Sequence, residues 1–396
     1  MNTLQAARLL TPEERLARRR LILRDALSLL TLFVITSVIF TLTWMLYRSF
    51  ENHRQELGQR WKARGELALQ QGRYKDAIES LRSALAYVPD SGTEIELATA
   101  LAGAGRTTEA TAYFNTLWES APGDGMINLQ LARLAARQGN QANAILHYQW
   151  ALDGTWEGNG YTRRRQIRLE LAGYLLSRGA FGQARTQLMI AASNAPDDPD
   201  VKIQIAGLLE QAKDPSDALD IYRSLAARRD PPLAALEGAG RTAFAMGRYR
   251  LAAAFLNHEF SGPGASTLPA AESASDRQML NSSQRILDVY PDVNLPARIR
   301  ARRILDAQQT AYRRLTACTA GKTPVPAQWA GLVTRWSQLS DHETAAELQQ
   351  QPDLEHTIVE LVYDTETVAA QTCGPPTGDD ALLLLIARNP TAVEQE

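Results

Sequence analysis

The clearest hydrophobic pattern lies between Trp61 and Pro89. Trp61, Gly65 and Ala68 recur at helical spacing on one face, and Tyr74, Ala77, Leu81 and Ala84 do the same on a second. Gly72 stands between them, where a helix ends in a left-handed residue, and Pro89 stops the second run. The spacing predicts a helical hairpin, with small residues where its two helices approach. The same marks recur downstream. Gly72 has counterparts at Gly105, Gly139, Gly179 and Gly247, with Lys213 in the slot before the last, at intervals of 33, 34, 40, 34 and 34 residues. The second-helix alanine recurs as Ala77, Ala110, Ala144, Ala184, Ala218 and Ala252, and the bulky position as Leu81, Phe114, Tyr148, Leu188, Tyr222 and Leu256. Prolines close hairpins at Pro89, Pro122 and Pro196, with Pro231 one residue late. Lys213 replaces glycine, Thr107 and Gln141 replace the tyrosine, and the third hairpin lacks its proline. Six hairpins are therefore expected over 58–260. The longer interval comes from 153–166, DGTWEGNGYTRRRQ, read as a surface insertion that contributes to a binding rim.

A different pattern precedes the hairpins. Ala26–Tyr47 holds 22 residues without a charge, about 33 Å of helix and long enough to span a bilayer core. Trp44 and Tyr47 sit at its far end, where amphipathic rings favour an interface. The run is too long, and starts too late, for a signal peptide. Residues 1–25 form a basic segment with Arg8, Arg15, Arg18, Arg19, Arg20 and Arg24, and a helix start at Thr11-Pro12. The far flank carries Arg48, Arg54, Arg60, Lys62 and Arg64, diluted by Glu51 and Glu56. This bias places the N-terminus in the cytoplasm of a single-pass inner-membrane protein, with the hairpins across the membrane, in the periplasm of a bacterium. Residues 48–57 are expected to continue as a polar helix.

After the hairpins, 261–277 reads as a flexible connector, on SGPGASTLPAAESAS. A helical C-terminal region, 278–396, follows. Its helices are expected near 278–289, 296–316, 327–339, 342–350, 354–372 and 379–387. It either caps the hairpins or forms a small domain of its own.

The aromatic, the Gly four residues on, the Gly-x-Tyr, the two alanines and the proline resemble the tetratricopeptide repeat, whose period is about 34 residues. The fold class is then all-α: an α-solenoid of about six hairpins, preceded by one transmembrane helix and followed by a small helical region. The resemblance implies a concave groove lined by first helices, with Lys62, Ile95, Leu129, Leu169, Ile203 and Glu237 facing it and Thr99 and Arg133 beside them. Four apolar members in succession suggest a stripe for an extended or helical peptide. If the phase slips by one residue, the same four are core. Some family members clamp a partner's C-terminal carboxylates with Lys and Asn. Here Glu66 replaces that Asn and Met126 a clamp Lys, so this activity is not expected.

Composition narrows function further. With 22% charged residues and a net charge of −2, the chain reads as folded and not as a nucleic-acid binder. Residues 319–396 hold three cations against twelve acids, a formal −9, which leaves +7 on the preceding part. Either the two parts have differently solvated faces, or the acidic end docks on the basic array. The two cysteines, Cys318 and Cys373, are too few for a zinc site. They form one disulfide in an oxidising compartment or remain free thiols. The five histidines are scattered, and Gly238-Ala-Gly240 lies inside a predicted helix with no preceding strand, so it is not a dinucleotide fingerprint. No catalytic residue, metal ligand, cofactor or small-molecule substrate is expected. The leading expectation is a membrane-anchored scaffold binding protein partners at the cell envelope. A constitutive subunit of an envelope or secretion complex is the alternative, and an enzyme would need its site within 276–396.

Overall fold

Six helices, spaced 33 to 40 residues apart, end on a residue in the left-handed region: Gly72 (φ 70°), Gly105 (76°), Gly139 (76°), Gly179 (72°), Lys213 (59°) and Gly247 (77°). In the computed structural model, which describes residues 12–262, 270–322, 324–339 and 344–390, these are the hinges of six hairpins. At each, the hinge amide donates to the carbonyl three residues back and the next amide to the carbonyl five back. Examples are Gly72 to Leu69 (3.0 Å) with Arg73 to Ala68 (2.9 Å), and Gly247 to Phe244 (3.0 Å) with Arg248 to Ala243 (2.8 Å). This paired arrangement satisfies carbonyls that the helix end leaves open. A Cβ on Gly72, Gly105, Gly139 or Gly179 would meet nothing within 4 Å, so the demand for glycine is conformational rather than steric. Among the described residues Lys213 alone adopts positive φ without being glycine, and its ammonium lies 4.4 Å from the centre of the Phe181 ring.

In the first and sixth hairpins the bulky residue of the second helix presses on a glycine of the first. Leu81, Phe114, Tyr148, Leu188, Tyr222 and Leu256 are all buried, as are the six second-helix alanines. A Cβ on Gly65 would sit 2.7 Å from Leu81 Cδ2, and one on Gly240 2.5 Å from Leu256 Cδ2. Glycine at these two positions therefore sets the closeness of the helices.

The chain divides into two compact units, Met1–Gly160 and Tyr161–Glu396. The first holds α1 (Pro12–Gln70), α2 (Tyr74–Tyr87), α3 (Ser91–Gly103), α4 (Thr107–Ser120), α5 (Gly125–Arg137) and α6 (Gln141–Asp153). The uncharged run, the polar stretch after it and the first hairpin helix are one continuous helix, α1. At Gly58 it already packs on α2, since a Cβ there would lie 2.8 Å from Val88 Cγ2. The uncharged run is exposed along nearly all its length. The Thr11 cap and residues 1–10 of the basic segment, Arg8 among them, lie outside the described residues. The insertion after α6 folds back on the start of α5: Thr155 donates to Gly123 (2.9 Å), Gly125 donates to Thr155 (3.0 Å), and Trp156 Nε1 donates to Ala151 O (2.8 Å). Gly125 is required there, because a Cβ would be 2.3 Å from the Trp156 ring.

The second unit continues with α7 (Gly160–Ser177), α8 (Phe181–Ser193), α9 (Pro199–Gln211), α10 (Pro215–Ala226), α11 (Leu233–Ala245) and α12 (Tyr249–Ser261). Then come α13 (Ala270–Val289), α14 (Ala297–Thr319), α15 (Ala327–Ser337), α16 (Ala345–Gln350), α17 (Pro352–Thr372) and α18 (Asp379–Arg388). Helix α13 begins inside the stretch expected to be a flexible connector, while 263–269 lie outside the described residues. Its first turns are fixed because Asp276 is fully buried and takes two hydrogen bonds from Arg241, at 2.7 and 3.0 Å. Tyr249 of the sixth hairpin belongs to the same core as Trp329, Ile358 and Leu383, and its hydroxyl donates to Leu385 O (3.1 Å). The acidic C-terminal helices find counter-ions on α13 and α14: Arg300 pairs with Glu355 (2.9 Å), Arg314 with Glu366 (3.4 Å), and Arg285 with Asp379.

The hinges make opposite predictions at two positions. Gly139→Ala places a Cβ in the left-handed region and should lower unfolding free energy by about 1 kcal/mol. Lys213→Gly relieves a similar strain but loses the contact with Phe181, so a gain of roughly 0.5 kcal/mol is expected. Urea denaturation of both variants checks the two signs.

Candidate interaction surface

The residues expected to line a groove fall into both units. In the first unit, Lys62 lies on α1, Ile95 and Thr99 on α3, and Leu129 and Arg133 on α5. Lys62 Nζ is 2.9 Å from Asp90 Oδ2. Asp90 also caps α3, accepting from the Thr93 amide (3.0 Å) and hydroxyl (2.8 Å). The hydrogen bond from Lys62, followed by those from Thr93, holds the Asp90 carboxyl down at about 2. The pair is substantially exposed, so it orders the turn more than it stabilises the fold. The Thr99 hydroxyl is spent on its own helix, donating to Ile95 O (2.7 Å). Ile95 is half-buried against the unit's core. Leu129 is only 6% exposed. It is core, the second of the two readings its spacing allowed.

Two carboxylates, Glu66 and Glu96, lie beside Lys62. Burial pushes Glu96 up to about 7, and the neighbouring Glu66 adds to the shift. Glu96 Oε2 is buried without a hydrogen-bond partner. The surface around Lys62, Glu66, Glu96 and Thr99 is therefore polar and partly protonated near neutral pH, with Ile95 as its apolar member.

In the second unit Leu169 and Ile203 are half-buried against the core. Glu237 pairs with Arg241 (2.6 Å), and Arg241 holds Asp276 on α13. Glu210 accepts from the Thr242 hydroxyl and, at 3.5 Å, from the Tyr222 hydroxyl. Burial, then Glu210, pushes the Tyr222 phenol above its ordinary range. Here the first-helix face is laced by internal polar contacts, and Glu237 is already engaged.

Glu259 is the sharpest departure from the repeat. The other five hairpins place Ala84, Leu117, Ala151, Ala191 and Leu225 at its position, and all are buried. Glu259 is fully buried too, and neither carboxylate oxygen has a hydrogen-bond partner. Burial, then Asp276 and Glu237, pushes it up to about 7, against the pull of Arg241. Its signal in the sequence was an acid where the register calls for alanine or leucine.

Cys318 and Cys373 are joined as a disulfide, with Cα atoms 5.6 Å apart. Among the described residues there is no cluster of three or more His, Cys, Asp or Glu side chains arranged to hold a metal ion.

Two outcomes follow from this burial. Leu129→Glu should unfold the first unit, because a buried carboxylate replaces a packed side chain at several kcal/mol; Ile95→Glu should leave helicity unchanged by circular dichroism. Glu259 sits above its ordinary value of 4.5 when folded. The folded chain thus holds a proton that the unfolded chain releases, and stability is full below that value and lost as pH rises through about 7. Glu259→Leu should remove this slope and be more stable than the parent at about pH 8, by on the order of 3 kcal/mol. Denaturation curves at about pH 5 and about pH 8 check it.

Residues 68–124 match the family model described as tetratricopeptide repeat. No curated protein matches the chain. Among solved structures, PilF of Pseudomonas aeruginosa is 18% identical, with a TM-score of 0.39 over 57% of this chain and 99% of its own. Yeast Tom70 is 14% identical, with a TM-score of 0.37 over 87% of this chain and 55% of its own. The TPR2AB domain of yeast Sti1, solved as a complex with pHSP90, is 14% identical, with a TM-score of 0.25 over 58% and 99%. The family match covers 68–124, the second helix of the first hairpin and the whole of the second, and the six hinges carry the same hairpin architecture beyond it.

Proposed function

We propose that this protein is a membrane-anchored repeat scaffold of the cell envelope that holds protein partners on its hairpins. One observation carries the reading: α1 runs without a break from the uncharged stretch into the first hairpin. That stretch leaves Phe33 69%, Phe40 71% and Leu46 71% exposed. In water each such side chain forfeits roughly 1.5–3 kcal/mol relative to burial, whereas a bilayer covers them all. Arg18, Arg19, Arg20 and Arg24 favour a cytoplasmic N-terminus and hairpins in the periplasm, and a disulfide on the far side suits an oxidising compartment. The partner is a protein segment, extended or helical, that meets polar groups around Lys62 and Thr99 with Ile95 at their centre. Leu169, Ile203 and Arg133 extend the candidate surface within their own units.

The alternative, a constitutive subunit of an envelope assembly, draws support from Glu237, which is spent on Arg241, and from Arg241, which is also spent on Asp276 of α13. Both readings are tested in membranes from cells carrying a photo-crosslinker at position 95. A scaffold gives several crosslinked proteins that salt releases, whereas a subunit gives one partner in fixed stoichiometry. Release of the full chain by alkaline carbonate would contradict the anchor, whichever partner is found.

A further inference from the structure

The disulfide is lopsided. Cys318, in the last turns of α14, is 2% exposed, whereas Cys373, the residue after α17, is exposed. Both line an open cavity of about 390 Å³ with Thr310, Arg313, Arg314 and Asp380. A thiol can thus reach the exposed cysteine more readily than the buried one, in a cavity whose two guanidiniums are balanced by the carboxylates of Asp379 and Asp380.

What the bond holds is also unusual. Cys373 opens the connector to α18, whose Gly374 (φ 102°) and Gly378 (φ 57°) both lie in the left-handed half of conformational space. Apart from the disulfide, the connector is tied by Arg314, which donates to Gly374 O at 2.9 Å. The same guanidinium reaches Glu366 on α17 (3.4 Å) and Asp380 on α18 (3.5 Å). Glu366 is fully buried, yet neither of its oxygens has a hydrogen-bond partner, and Asp380 Oδ1 and Arg314 Nε lack one as well. A buried charge cluster with so many unmet groups favours any opening that admits water. The covalent bond one turn beyond Arg314 opposes that opening.

We propose that Cys318–Cys373 is an exchangeable disulfide, attacked by thiols at Cys373, and that its reduction locally frees the α17–α18 connector and the start of α18. The thiolate of a dithiol reductant attacks Cys373 Sγ. The sulfur–sulfur bond breaks, and its electron pair leaves on Cys318 Sγ, which takes up a proton. The second thiol of the reductant, as thiolate, then attacks its own sulfur in the mixed disulfide and expels Cys373, which is protonated in turn. The dithiol is oxidised to a disulfide by two electrons, and this chain gains two thiols.

The test uses the intact oxidised chain and a short exposure to limiting glutathione, a monothiol whose first product is a mixed disulfide. After an acid quench, peptide mass spectrometry should find glutathione on Cys373 and a free thiol at Cys318. Adducts on Cys318, equal labelling of both, or no reaction until denaturant is added would overturn the proposal. After full reduction by dithiothreitol, amide hydrogen exchange over 374–385 should rise at least tenfold, with the six hinges unchanged. Unaltered exchange in that segment, or a rise across the hairpins as well, would refute the local release.

Discussion

The architecture rests on a backbone constraint more than on any side-chain contact. Each first helix must stop, turn through a left-handed residue and return at close range. The hinge supplies the turn, and its two hydrogen bonds satisfy the carbonyls exposed by the stop. Only then does the second helix bring its alanine and its bulky residue against the first. The cost of a left-handed residue explains the glycines. Lys213 shows that the conformation, not the residue, is indispensable, since it adopts φ 59° with the same pair of bonds.

This constraint made most of the fold readable in advance. Hinges, alanines and bulky positions recur in step, every 33 or 34 residues except across the insertion, and all lie where that spacing put them. Three things escaped. Leu129 could be groove or core, because adjacent helical residues differ by about 100° and a slip of one position exchanges the two faces. The start of α13 hid in a stretch rich in alanine and serine, where order depends on a partner far away in sequence: Arg241 holding Asp276. The folding of the insertion depends on Trp156 meeting Gly125, a contact with no local signature.

The polar surprises share a cause. Glu96, Glu259 and Glu366 are each held above the usual carboxylate range, with burial the largest contributor and a neighbouring acid next. Each lies where helices pack, in the first hairpins, beneath α13 and beneath α18. A repeat core built from Ala and Leu alone would be more stable; these acids instead make the packed junctions sensitive to protonation. The C-terminal region adds a covalent staple and a second set of ion pairs between α14, α17 and α18. It thereby closes the sixth hairpin with a different kind of core.

In the proposed function, α1 joins a membrane span to the first hairpin as one helix. Spin labels placed singly along 26–66 of the full chain in lipid nanodiscs test it directly, because among the described residues no free cysteine competes for labelling. Accessibility to oxygen should dominate across 26–47 on every face. It should give way to water-soluble relaxant after 51, and from 58 onwards alternate with the helical period as α2 covers one side. Water accessibility throughout 26–47, or a break in helical periodicity between 47 and 58, would contradict the account.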